Sequence, residues 1–166
     1  TFEVDFQLIE DCLECAITSR MLELPRTEVI GKFERAKRFA DKLDNAQLKI
    51  RVHYQLAWTL INWYDDYSGF LTEYLELKKL VSDEPNLNNI ELHLNLYNIL
   101  RTVSTIEDAQ NQIAIDFINE EKDFASLLTK CSSNRDKLST ALLSKFYLSF
   151  IIISNNFNNE AVASEE

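Results

Sequence analysis

Two glycines, Gly31 and Gly69, and two prolines, Pro25 and Pro85, are all that 166 residues contain. Average usage would supply about 12 glycines and 8 prolines. Hairpins, tight turns and phosphate loops draw on glycine because it alone takes positive φ without steric cost. A chain this poor in it is predicted to be all-α, helices joined by short connections. The scarcity also excludes chemistry. The two glycines stand 38 positions apart, so neither G-x-G-x-x-G nor a Walker A loop can be written.

The length points to one domain that buries roughly 70% of its unfolded surface. A net charge of −10, from 17 basic and 27 acidic residues, repels phosphate backbones and disfavours nucleic acid as a partner. Three cysteines without a signal peptide favour a reducing, cytoplasmic compartment. The chain opens on Thr1 with Phe2, Val4 and Phe6 close behind, and it is expected to be a piece of a larger protein. Near the other end, eleven of the sixteen residues Leu138 to Ile153 are Leu, Ala, Phe, Tyr or Ile. A membrane span needs about 20, and Lys145, Ser139, Ser144 and Ser149 interrupt this one. A buried terminal helix over 138–154 is therefore expected, with no membrane partner. The remainder, 155–166, reads as a polar, acidic and flexible tail.

Between these ends the apolar spacing predicts about seven helices. The first covers 2–22, with a wide apolar arc through Val4, Leu8, Ile9, Cys12, Leu13, Cys15, Ala16 and Ile17. Thr27 is expected to cap a second helix over 28–43. Further helices are expected over 46–64, 67–81 and 87–103. Ser104 and Glu107 have capping-box spacing ahead of a sixth, whose inner face is Ile106, Ala109, Ile113 and Phe117 and which either continues or breaks before Phe124, Leu128 and Cys131. The loop 131–136 then leads into the terminal helix.

Three helices share one pattern. Ile9-Glu-Asp-Cys-Leu-Glu-Cys-Ala aligns with Ile50-Arg-Val-His-Tyr-Gln-Leu-Ala and with Ile90-Glu-Leu-His-Leu-Asn-Leu-Tyr, at offsets of 41 and 40 residues. A period near 40 with two helices per step predicts a stack of helix pairs, an α-solenoid. The single domain, 1–154, would contain repeats over 2–43, 46–82 and 87–130. In the second repeat, His53-x-x-Leu56-Ala57-x-x-Leu60, Asp66-Tyr67, Phe70, Tyr74, Leu77 and Pro85 resemble a tetratricopeptide repeat. The period of 40 in place of 34, Phe70 and Tyr97 depart from that family. The resemblance implies a right-handed stack whose concave face is lined by the first helix of each pair. It transfers no ligand.

Candidate chemistry is sparse. Cys12-Leu-Glu-Cys15 has C-x-x-C spacing, but it falls mid-helix and lacks two further zinc donors, so it reads as helix packing. Cys12, His53 and His93 occupy one repeat position. Neighbouring helices lie about 8–10 Å apart, too far for three donors to share an ion, so both histidines read as core residues. No metal, cofactor or catalytic residue is expected, and the chain does not read as an enzyme. Seven rings crowd into 54–74 (Tyr54, Trp58, Trp63, Tyr64, Tyr67, Phe70, Tyr74), and most are expected in the core.

Trp58 is the exception, because it shares a polar stripe with Arg51, Gln55 and Asn62. The third repeat continues that stripe with Glu91, Asn95, Asn98 and Thr102, and the first with Gln7, Asp11, Glu14 and Thr18. Side by side they would form a ribbon where Arg51, Gln55, Asn62, Asn95 and Asn98 hold a peptide and Trp58 anchors it. The function expected is a protein- or peptide-binding scaffold, a regulatory or sensor fragment of a larger protein. The alternative is a structural or oligomerising segment of a multidomain protein whose catalytic domain lies outside this chain.

Overall fold

The computed structural model describes the backbone of residues 5–163 and the side chains of residues 5–153 other than Glu107 and Gln110. The described residues form helices and no strand. They are α1 (Phe6–Met21), α2 (Arg26–Leu43), α3 (Ala46–Tyr64), α4 (Tyr67–Asp83), α5 (Leu87–Val103), the single turn α6 (Glu107–Gln110), α7 (Phe117–Ser132) and α8 (Leu138–Ala163). Seven are thus longer than a turn. Neighbouring helices pack against one another, as an all-α stack requires. α8 runs to Ala163, through most of the stretch that reads as a polar tail; residues 164–166 lie outside the described residues.

The helix starts are fixed by short acidic and amide side chains. Asp5, Asn45, Asp66 and Asp116 each accept a hydrogen bond from a backbone N–H in the first turn that follows. Asn86 does the same for the Asn89 N–H at 3.0 Å. Such a bond satisfies one of the four N–H groups that a helix start leaves unpaired. A Cβ at Gly69 would lie 2.8 Å from the Asp66 carboxylate, so a larger residue there would make the capping side chain shift.

Two expected caps are corrected. α2 begins at Arg26 after Pro25, without a side-chain cap, so Thr27 lies inside the helix; the proline's fixed φ already sets the entry. Ile106, not Ser104, precedes α6, and Ser104 donates to the Arg101 carbonyl instead. The sixth helix is reduced to one turn before Asp116 starts α7.

The helix ends use positive φ without glycine. Asp44 (φ 52°) closes α2, Asp65 (φ 48°) closes α3, and Glu23 (φ 54°) follows α1. Around Glu23 the Leu24 N–H reaches the Ser19 carbonyl and the Glu23 N–H reaches Arg20, the bonding of a Schellman turn. Aspartate tolerates this region; glutamate does so less readily.

The chain divides into two compact units, Thr1–Glu84 with Glu91–Ala114, and Pro85–Ile90 with Ile115–Glu166. In the first, α1 packs on α2, and α3 packs on α1, α2 and α4. Ile9, Leu13, Phe33, Ala36, Ile50, Leu56, Phe70, Tyr74 and Leu77 are buried there. Side chains 40 or 41 residues apart meet across this unit. Arg51 pairs with Glu10, and Arg26 at the start of α2 pairs with Asp66 at the start of α4.

In the second unit α7 packs on α8. Here the expected burial of the terminal helix is corrected. Thr140, Ala141 and Ser144 are buried, while Leu138, Leu142, Phe146, Phe150, Ile152 and Ile153 are exposed. The small side chains turn inward, where helices approach closely, and the large apolar ones face out.

Glu23→Gly is expected to raise stability by about 0.5–1 kcal/mol, the relief of left-handed strain less the added entropy of the unfolded chain. Urea unfolding of the variant beside wild type measures it; an unchanged or lowered midpoint would contradict the strain.

Candidate functional site

The polar stripes of α1 and α3 lie on adjacent helices, and most of their residues face solvent. Gln7, Asp11, Glu14 and Thr18 are exposed, as are Asn62, Glu91, Asn95, Asn98 and Thr102. The ribbon is nevertheless not uniformly available. Arg51 donates to Glu10. Gln55 accepts from Arg20 Nη1 at 3.4 Å. Trp58 is half-buried, with its ring stacked on Tyr54 at 6.2 Å between centroids. These three residues are engaged within the fold.

Asn62 and Asn98 are brought together. The ends of α3 and α5 flank a cleft of about 390 Å³. Ile61, Asn62 and Asp65 line it from α3; Asn98, Ile99, Thr102 and Val103 line it from α5, with Tyr67 and Ile106 at its margin. Asn95 and Trp58 are not part of the lining. The arrangement follows from helix periodicity: Asn98 and Thr102 are four residues apart, so they share a face with Asn62 opposite. Asn62 Nδ2 donates back to the Trp58 carbonyl at 2.9 Å, which holds the amide against its own helix. Ile61 and Val103 are nearly buried at 7%, whereas Ile106 is 41% exposed. Apolar walls under a rim of amides, a hydroxyl and a carboxylate suit an apolar side chain with a polar tip.

Asp65, Tyr67 and Ile106 carried no warning in the polar stripe. Asp65 follows the last residue of α3, Tyr67 begins α4 and Ile106 sits in the connection after α5. They reach the cleft only because the helix ends converge.

The aromatic run is also corrected. Of its seven rings only Phe70 and Tyr74 are fully enclosed. Trp63 and Tyr64 instead carry arginines over their faces, Arg20 at 4.5 Å and Arg26 at 5.1 Å. The π-face attracts the cation; Trp63 is exposed and Tyr64 half-buried. Arg20 is itself buried, donating to Thr59 Oγ1 at 2.9 Å, and burial pulls its pKa down.

The histidines are core residues, each with a partner. His53 Nδ1 lies 2.6 Å from Glu73 Oε2, and Lys37 donates to Glu73 Oε1 at 2.7 Å. This cluster ties α2, α3 and α4 together. Burial pushes the Glu73 carboxyl up, but the hydrogen bonds from His53 and Lys37 outweigh it and hold the pKa below its usual value. His93 lies 3.2 Å from the Tyr74 hydroxyl. Burial, helped by the charge of Lys78, pushes its pKa down to about 3.

Cys12 is half-buried, and burial raises its thiol pKa; Cys15 is exposed, against the expectation of helix packing. Among the described residues no three His, Cys, Asp or Glu side chains are placed to hold a metal ion. No helix among them is long and apolar enough to cross a membrane. Comparison with protein-family models, curated proteins and solved structures returned no significant match.

Acid is expected to destabilise the fold in two stages. His93 binds its proton near pH 6.5 when unfolded but only near pH 3 when folded. Its contribution is therefore complete above about pH 6.5 and drains away as pH falls toward 3. Glu73, with a depressed pKa, adds a loss that begins below its ordinary value of 4.5. Melting temperatures measured from pH 7 to 3 test this, with His93→Gln flattening the upper stage. Glu73→Gln strands Lys37 and is expected to cost about 3 kcal/mol at neutral pH.

Proposed function

We propose that this chain is a helical-repeat scaffold of tetratricopeptide-like type that binds a protein or peptide partner. In this reading it is a regulatory or sensor part of a larger cytoplasmic protein, and the α3–α5 cleft is the binding site. The observation that carries the proposal is the cleft itself, where two stripe residues, Asn62 and Asn98, rim a floor of Ile61, Ile99 and Val103. The likeness in type rests on this chain's own residues: the aligned blocks, and the ion pair at an offset of 41 that links the first helices of adjacent pairs. Side-chain amides are suited to the backbone of an extended segment, and a partner's side chain would fill the slot between them.

Selection of a random peptide library on the immobilised protein tests this reading. Peptides are expected to be enriched whose affinity falls at least tenfold in Asn98→Trp, a variant that fills the cleft from an exposed position without touching the core. Failure to enrich any peptide, or binding indifferent to the filled cleft, would sink it.

A second reading, an oligomerising segment, has one observation in its favour. The outward face of α8 carries six large apolar side chains that are 51–66% exposed, more than a solvated helix usually shows. Sedimentation equilibrium is then expected to find a self-associating species that Phe146→Glu disperses. A monomer at every concentration would dismiss this reading.

A further inference from the structure

We infer that the cleft between α3 and α5 takes a cationic side chain, a lysine or arginine of a partner peptide, with its aliphatic stem on the isoleucines and its charge at Asp65. The inference rests on the proposed reading of the cleft as a peptide site and gives it a chemical class of ligand.

Three observations converge. First, the cleft lies where two helices end. Ile61 and Asn62 belong to the last turn of α3, and Thr102 and Val103 to that of α5. The last four carbonyls of a helix have no partner within it and carry the negative end of its dipole. At α3 the cap N–H of Asp65 and the N–H of Asp66 both return to the Leu60 carbonyl, and no basic residue stands in the last turn. At α5 the last four carbonyls, from Leu100 to Val103, are taken by Ser104, Thr105 and Ile106, so the open helix end at the cleft is that of α3. Arg101, the basic residue of the last turn of α5, does not line the cleft.

Second, Asp65 places a full negative charge at the same end. It is exposed and, among the described residues, makes no ion pair. Arg26, which pairs with the neighbouring Asp66, also lies over the face of Tyr64. Tyr67 is among the lining residues, and an aromatic ring is a favourable surface for a cation.

Third, the lining sets Ile61, Ile99, Val103 and Ile106 beside the polar Asn62, Asp65, Asn98 and Thr102. A small metal cation or a fully hydrated ion gains nothing from Ile61, Ile99 and Ile106. A lysine or arginine stem does, because these side chains bury their methylenes while keeping the charged head near polar groups. An acidic partner would instead face a carboxylate, the C-terminus of α3 and a protein of net charge −10. Charge complementarity therefore selects a basic segment.

The test uses three probes with the same six-carbon chain: hexylammonium, hexanol and hexanoate, titrated into isotope-labelled protein and followed by amide NMR shifts. Hexylammonium is expected to move amides of 61–67 and 98–106 with a Kd at least tenfold below that of hexanol, while hexanoate leaves them in place. Asp65→Asn should bring the ammonium down to the level of the alcohol. Asparagine accepts positive φ, so this variant keeps the turn, and an unchanged spectrum elsewhere verifies that. Equal affinity for the ammonium and the alcohol, or ammonium binding untouched by Asp65→Asn, overturns the inference and leaves the apolar cleft standing. Absence of shifts at the cleft with all three probes overturns both.

Discussion

Every helix end exposes backbone groups that must find partners, and this chain has to satisfy them almost without glycine. At the starts it uses aspartate and asparagine, whose short oxygens reach back to the first-turn N–H groups. At the ends it places Asp44, Asp65 and Glu23 in the left-handed region. Everything else follows from where those ends fall. Connections of only two to four residues separate α1 from α2, α2 from α3 and α3 from α4, so each helix must fold back on the one before it. The cleft exists because the ends of α3 and α5 come together, and its carboxylate is a helix-ending residue.

The second organising element is polar. Glu10 with Arg51 and Arg26 with Asp66 join helices that occupy equivalent places in successive pairs. Both pairs are partly exposed, and such contacts contribute modestly on their own. Their value lies in register, since a slip of one helical turn would separate both at once. The Lys37–Glu73–His53 cluster differs, because Glu73 is buried. Loss of one member there leaves a charge without its partner, and the cost is correspondingly larger.

Much of the helical fold was legible because apolar spacing depends only on local sequence. α3, α4 and α5 begin within a residue of their expected starts, and Val29, Phe33, Ala36 and Ala40 are buried along α2 as their spacing implies. Three features were not legible in this way. Thr27 looked like a cap, but proline had already started the helix. The large apolar residues of α8 read as core, yet hydrophobicity does not say which of two apolar faces meets a neighbour; the small face did. The aromatic run reads as core, yet arginines lie over two of its rings, contacts between residues 38 and 43 positions apart. The site was legible by halves. Asn62 and Asn98 stood out by periodicity, whereas Asp65, Tyr67 and Ile106 lie at the borders or outside the helices, where periodicity is silent.

The brief, glycine-poor connections also bear on how the chain reaches its structure. Glycine enlarges the unfolded ensemble more than any other residue, so turns built from aspartate and glutamate have fewer conformations to abandon. The loops that close each helix pair are short, and the contacts they bring together are close in sequence. Proteins dominated by such local contacts cross low entropic barriers and fold in microseconds to milliseconds. The turns that fix the architecture thus also keep the contacts within each helix pair close in sequence, the topology that favours rapid folding.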